Sequence, residues 1–141
     1  MLRFTPLNIL LVDDDSVDVA ALQRAFSKMK ISNTITVAND GREALEILRS
    51  SAPDMERLVL LDLNLPRMSG IEFLKELRAD PGLRSTIVFV LTTSKADEDK
   101  VAAYNQNVAG YIIKEQFGAE FFQVVRMLDQ YWKVVEFPVR C

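Results

Sequence analysis

The sequence predicts an α/β fold: a doubly wound, five-stranded parallel sheet with helices on both faces. Three observations predict it. Short apolar runs alternate five times with segments of helical periodicity, over short connections. That is the pattern of parallel strands joined by right-handed crossovers. The run from Leu58 to Leu61 is continuous rather than alternating, as strands buried on both faces are. Finally, the run Leu58, Val59, Leu60, Leu61 meets Asp62 directly and then turns through Asn64, Pro66 and Gly70. This puts a carboxylate at the strand end, where open α/β sheets gather ligands and chemistry.

The elements follow in order. Residues 7–12, LNILLV, form the first strand and run into Asp13, Asp14 and Asp15. Ser16 can cap a helix reaching about Lys30, whose apolar residues Val19, Leu22, Phe26 and Met29 recur at three and four. The β-branched run Thr34 to Ala38 is the second strand. Asn39, Asp40 and Gly41 start a helix lined by Ala44, Leu45 and Leu48, which Pro53 must end. After the third strand, a helix from about Gly70 to Ala79 carries Ile71, Phe73, Leu74 and Leu77 and stops at Asp80, Pro81 and Gly82. Thr86 to Leu91 is the fourth strand and leads to Thr92, Thr93 and Ser94. A weaker helix over 96–106 has Asp97, Glu98 and Asp99 in its first turn, where the helix dipole favours acids. Ala109 to Ile113 is the fifth strand, ending in Lys114. The last helix is expected from near Gly118 to about Val135. The strand order 2-1-3-4-5 is one of two common solutions, and periodicity alone does not choose it.

Composition narrows the function. A chain of 141 residues is near the modal size of one domain, and 49% hydrophobic residues suffice for a core. The net charge of −3, with no basic concentration, argues against a nucleic-acid partner. There is no histidine, which excludes Ser/His and Cys/His catalysis and histidine metal sites. The single cysteine, Cys141, allows no internal disulfide. The first apolar run meets three acids too soon to be a signal peptide, and none is long enough to span a membrane. The expected setting is cytoplasmic, with no membrane partner.

Four of the five strands end in a residue with chemistry: Asp13 and Asp14, Asp62, Thr92 and Lys114. In a parallel sheet these ends share one edge. Each has a plain structural explanation by itself, as a helix cap, a turn residue or a solvated lysine. Their joint occurrence favours a site. Three carboxylates in one crevice repel one another and raise one another's pKa values. A hard divalent cation relieves this, and oxygen ligands with waters suit Mg²⁺. Lys114 and Thr92 supply the charge and hydroxyl that a phosphoryl group's oxygens need, and Asp62 can act as the nucleophile.

With these residues placed, the sequence resembles the response-regulator receiver domain of two-component signalling. The resemblance rests on Asp13–Asp14, Asp62 in LLDLNLPRMSG, Thr92 in VLTTS and Lys114 in GYIIK, and covers residues 7 to about 128. It implies the flavodoxin-like order 2-1-3-4-5 and a site with assigned roles. Asp62 would take a phosphoryl group from a histidine kinase in a phosphorelay. Asp13, Asp14, Asp62 and the backbone carbonyl of Asn64 would hold Mg²⁺ or Mn²⁺, with Asp13 acting mainly through a water. Thr92 and Lys114 would bind the phosphoryl oxygens, and Tyr111 would be the switch aromatic. Asn64 and Ser94, two residues beyond Asp62 and Thr92, would tune the lifetime of the aspartyl phosphate. The partners implied are the kinase and a downstream protein or phosphotransfer domain.

One feature departs from the family: its lysine is usually followed by a proline in a cis peptide bond, whereas Lys114 precedes Glu115. Residues 1–128 then form the receiver, and 129–141 extend the last helix into an apolar, aromatic tail. That tail is similar to the end of the small single-domain regulators that pair with bacterial phytochrome kinases. Phe121, Val125, Leu128, Tyr131, Trp132, Val135 and Phe137 make a stripe along it, expected to overhang the sheet and form a homodimer, the alternative being a tail that folds back over its own sheet. Two other functions compete. An aspartyl-phosphate phosphohydrolase needs a second acid two residues after the nucleophile, where this chain has Asn64. An interaction module with an idle site would not need the complete set of Asp13, Asp14, Asp62, Thr92 and Lys114.

Overall fold

The computed structural model describes residues 6–51, 55–114 and 121–138. Ten elements alternate along the chain: β1 (Leu7–Val12), α1 (Ser16–Lys28), β2 (Asn33–Ala38), α2 (Gly41–Ser50), β3 (Leu58–Leu61), α3 (Gly70–Ala79), β4 (Ile87–Thr92), α4 (Asp97–Asn105), β5 (Gly110–Ile113) and α5 (Phe122–Val134). The strands form one sheet in the order β2-β1-β3-β4-β5, every pair parallel. This is the flavodoxin-like order that the resemblance implied.

Each face of the sheet carries its own apolar layer. Leu10, Val12, Val59, Leu61, Val88 and Val90 point to one side, beneath α2, α3 and α4. Leu7, Ile9, Leu11, Leu58, Leu60, Phe89 and Leu91 point to the other, beneath α1 and α5. Alternate residues of one strand thus serve opposite layers, which is why the strands read as unbroken apolar runs. The register levels the carboxyl ends: Val12 pairs with Ala38 and Leu61, and Thr92 with Ile113. Asp13, Asp62 and Lys114 follow immediately and therefore emerge on one edge.

Side chains at the strand ends also start the helices. Asp15, and not Ser16, caps α1: its Oδ1 accepts from the N–H groups of Val17 and Asp18. Asp40 caps α2 through Glu43 N–H, and Ser69 caps α3 through Glu72 N–H. α2 ends at Ser50, while Pro53 lies outside the described residues. Gly70 opens α3 where the backbone passes against the third strand's end: a Cβ there would stand 2.6 Å from Leu63 Cα and 2.7 Å from the Asp62 carbonyl oxygen. Only glycine lets α3 begin this close to the acid.

The last helix departs from expectation. The described helix runs from Phe122 to Val134, 13 residues, and the expected start near Gly118 lies outside the described residues. So does the segment from Glu115 to Phe117 that replaces the usual proline turn. The stripe does not overhang. Phe121, Val125, Leu128 and Trp132 are buried in the protomer's own core with β3, β4 and α1. Tyr131 packs edge-on against Phe89 of β4 at 5.0 Å between ring centroids. Phe137 folds back onto Tyr131 and Trp132, at 6.1 and 4.9 Å. These contacts correct the expected interface: the four buried residues are taken up by this chain's own sheet, which they cover beside α1. Tyr131, Val135 and Phe137 are half-buried.

Candidate functional site

The carboxyl edge of the sheet forms a charged pocket around Lys114. Its ammonium lies 3.0 Å from Asp13 Oδ2, 3.0 Å from Asp62 Oδ2 and 2.7 Å from Asp18 Oδ2. Asp13, Asp62 and Lys114 are all buried. Burial by itself pulls the lysine's pKa down. Its hydrogen bonds to Asp18, Asp13 and Asp62 outweigh that effect and hold it above the ordinary lysine value. Burial pushes the Asp13 carboxyl up, against the opposing pull of the Asp15 N–H and of Lys114.

Asp62 is tied on its other oxygen as well. Thr92 Oγ1 donates to Asp62 Oδ1 at 2.9 Å, and Asn64 N–H donates to the same oxygen at 3.1 Å. One carboxylate thus faces a cation, a hydroxyl and a backbone N–H, the donor set that stabilises charge on a transferring phosphoryl group. Asn64 itself is exposed in the turn after β3.

A chain of contacts leads away from the pocket. Ser94 N–H points to Thr92 Oγ1 at 3.4 Å, and Tyr111 Oη donates to the Ser94 carbonyl at 3.0 Å. The Ser94 hydroxyl donates to Asp99, in the first turn of α4. Tyr111 is half-buried against the α2–α3–α4 layer, and burial raises its phenol pKa. The sequence-predicted residues Asp62, Thr92, Ser94 and Tyr111 are therefore brought into one connected path from the pocket to α4.

Asp13, Asp14 and Asp62 each bring a carboxylate oxygen within 4.8 Å of the others, with Asp14 exposed and the other two buried. These are hard oxygen donors with an open, solvent-facing side, which fits a Mg²⁺ or Mn²⁺ ion that keeps several waters.

Two participants escaped the sequence reading. Asp18, on the first turn of α1, makes the shortest of the three contacts to Lys114. It lies four residues before Leu22 on that helix's buried side, and an acid on an otherwise apolar face was the available signal. Arg67, at φ 63° in the β3–α3 loop, pairs with the buried Asp40 that caps α2. That pair ties the loop after Asp62 to the neighbouring β2–α2 turn, and nothing in sequence spacing announces it.

Comparison with known proteins places the fold in a family. The family model described as the response regulator receiver domain matches residues 9–126. The chain is 35% identical over 130 residues to a probable methanogenesis regulatory protein, FilR2 of Methanothrix harundinacea, covering 90% of this chain and 84% of that one. It is 32% identical to response regulator Rcp1 of Synechocystis over 90% of this chain and 89% of the relative. The solved Mn²⁺-bound form of Rcp1 superposes with a TM-score of 0.79, at 33% identity over 94% of this chain and 99% of that one. The phosphorylated cyanobacterial phytochrome response regulator RcpA gives 0.82, at 33% identity over 95% of this chain and 99% of that chain. A five-stranded sheet in the order 2-1-3-4-5, a family model spanning most of the chain and relatives matched along nearly their whole length lead to one conclusion: the protein belongs to the receiver-domain family of response regulators.

Proposed function

We propose that this protein is a phosphoacceptor switch in which Asp62 takes a phosphoryl group from the histidine of a kinase. The observation that carries this reading is the position of Asp62, with Lys114 at 3.0 Å on one oxygen and Thr92 at 2.9 Å on the other. An Asp62 oxygen attacks phosphorus, the P–N bond to the donor imidazole breaks, and its electron pair returns to that nitrogen. Lys114 and Thr92 then neutralise and bind the phosphoryl oxygens. Asp13, Asp14 and Asp62, with the Asn64 carbonyl, would hold Mg²⁺, which supplies charge neutralisation for the phosphoryl group. Once Thr92 turns to the phosphoryl group, its contact with Ser94 N–H changes. Tyr111 and α4 are the elements next along that path. Ser94 and Asn64 would set the phosphoryl lifetime.

A phytochrome-type kinase is the favoured donor, since RcpA is described as a phytochrome response regulator and matches 95% of this chain. Residues 129–141 are read as an extension of the receiver. Homodimer formation stays part of the reading in reduced form, through Tyr131, Val135 and Phe137 beside the exposed Val134. A chain that sediments as a monomer at micromolar concentration would remove it.

The test of the main reading is intact mass after incubation with acetyl phosphate. One phosphoryl adduct should form with Mg²⁺ and fail to form in excess chelator. Equal labelling without metal contradicts the metal role. Absence of any adduct contradicts the switch and leaves a phosphorylation-independent interaction module. Continuous turnover of the donor would indicate a phosphohydrolase.

A further inference from the structure

We infer that Asp18 is a positioning residue for phosphoryl transfer, holding the Lys114 ammonium against Asp62 from the first turn of α1; this rests on the phosphoacceptor reading above. A lysine ammonium has three N–H donors on a long flexible stem. Here each is used once, on Asp13, Asp62 and Asp18, at 3.0, 3.0 and 2.7 Å. The three acceptors are not equivalent. Asp13 and Asp62 belong to the group of carboxylates close enough to share a cation, and Asp18 does not. A metal and a phosphoryl group would occupy the oxygens of Asp13 and Asp62. Neither would occupy Asp18. As the site fills, Asp18 is the acceptor that keeps its hold, while the other two donors turn to the phosphoryl oxygens.

The backbone explains how Asp18 reaches the pocket. Asp15 caps α1, so the helix begins immediately after the strand-end acids. Side chains of a helix lean toward its N-terminus, which carries Asp18 back over the end of β1. Lys114 arrives from β5, 96 residues later in sequence. The contact is not an ordinary surface pair, which would contribute little. The Lys114 side chain is only 7% exposed, and that of Asp18 is 21% exposed, at the rim. An ammonium fixed before the donor arrives needs no ordering at the moment of transfer.

The test compares wild type with D18N, which keeps the shape and removes the charge, and D18A, which removes the acceptor. Three quantities are read: the rate of acetyl-phosphate labelling by intact mass, the affinity for beryllofluoride in saturating Mg²⁺, and the affinity for Mg²⁺ alone by calorimetry. Losing one charge-assisted hydrogen bond of about 1–2 kcal/mol corresponds to roughly five- to thirtyfold. Both variants should therefore label several-fold more slowly and bind beryllofluoride several-fold more weakly, with Mg²⁺ affinity nearly unchanged. Loss of all three together would show a merely structural role and overturn the inference. So would unchanged labelling in D18N, and so would faster labelling, which would mean that Asp18 competes with the phosphoryl group for Lys114. If D18A fails to fold, D18N alone decides. A wild-type chain that takes no label defeats the phosphoacceptor reading itself; a labelled wild type matched by D18N defeats only the role of Asp18.

Discussion

Helices α4 and α5 flank the chain's last strand, yet the protein holds them in different ways. α5 buries Val124, Val125, Leu128, Asp129 and Trp132, and its end is sealed by Phe137. α4 buries Ala103 alone, while Val101 and Tyr104 are 59% and 52% exposed. No side chain caps the N-terminus of either helix; at α4 the Ser94 hydroxyl reaches Asp99 in the first turn. Its C-terminal end is gripped from outside, where Arg78 of α3 donates to the carbonyls of Gln106 and Asn107 and also to those of Arg84 and Thr86. The difference teaches where movement is cheap. Local opening follows low apolar burial, so α4 can shift near the pocket while its far end stays pinned and α5 stays fixed.

The sharpest way to break this contrast is to weaken each helix in turn. Leu128→Ala in α5 should cost about 3 kcal/mol or more of unfolding free energy in a urea titration, as large-to-small changes in packed cores do. A cost near zero would mean that the packing of α5 is dispensable. Arg78→Met should cost about 2 kcal/mol, because it strips a charged donor from four backbone carbonyls. Hydrogen exchange should also speed up at the end of α4 and not in α5. Asp40→Ala should cost about 1 kcal/mol through the lost cap of α2. Tyr104→Ser should stay within about 0.5 kcal/mol of wild type, as exposed substitutions do. A large loss there would show that α4 is held more tightly than its burial implies.

Lys114, at the end of the strand between the two helices, gives a pH test. Its folded-state pKa lies above the ordinary value of 10.5, so the stability it adds is fully present below that value. That stability is lost only as pH rises through the higher folded value. The difference in unfolding free energy between wild type and Lys114→Met should therefore be flat from about pH 8, where the three acids are ionised, up to 10.5 and shrink in stronger alkali. A difference that fades between about pH 8 and 10.5 would mean that the three acids do not hold the proton on this lysine.

The sheet and the pocket were legible because four of the five strands run into the residue that matters, and the central ones announce themselves as continuous apolar runs. Asp62, Thr92 and Lys114 needed only the parallel topology to converge. Asp18 was not legible as a partner of Lys114, because the contact joins α1 to β5 and depends on how the first turn of α1 leans over the edge. The stripe on α5 was read correctly as apolar, but spacing cannot say which surface covers it. Phe89 and the returning Phe137 decide that within the protomer. Arg67 and Asp40 meet only because two loops lie side by side at the pocket's rim.

The most direct measurement is the location of the phosphoryl group. Labelling with acetyl phosphate and Mg²⁺, reduction of the acyl phosphate by borohydride and peptide mass mapping convert the modified aspartate to homoserine. The expected result is conversion at Asp62 alone, and none in Asp62→Asn. Conversion at Asp13, Asp14 or Asp18, or an adduct that persists in Asp62→Asn, would contradict the assignment of Asp62 as the phosphoacceptor.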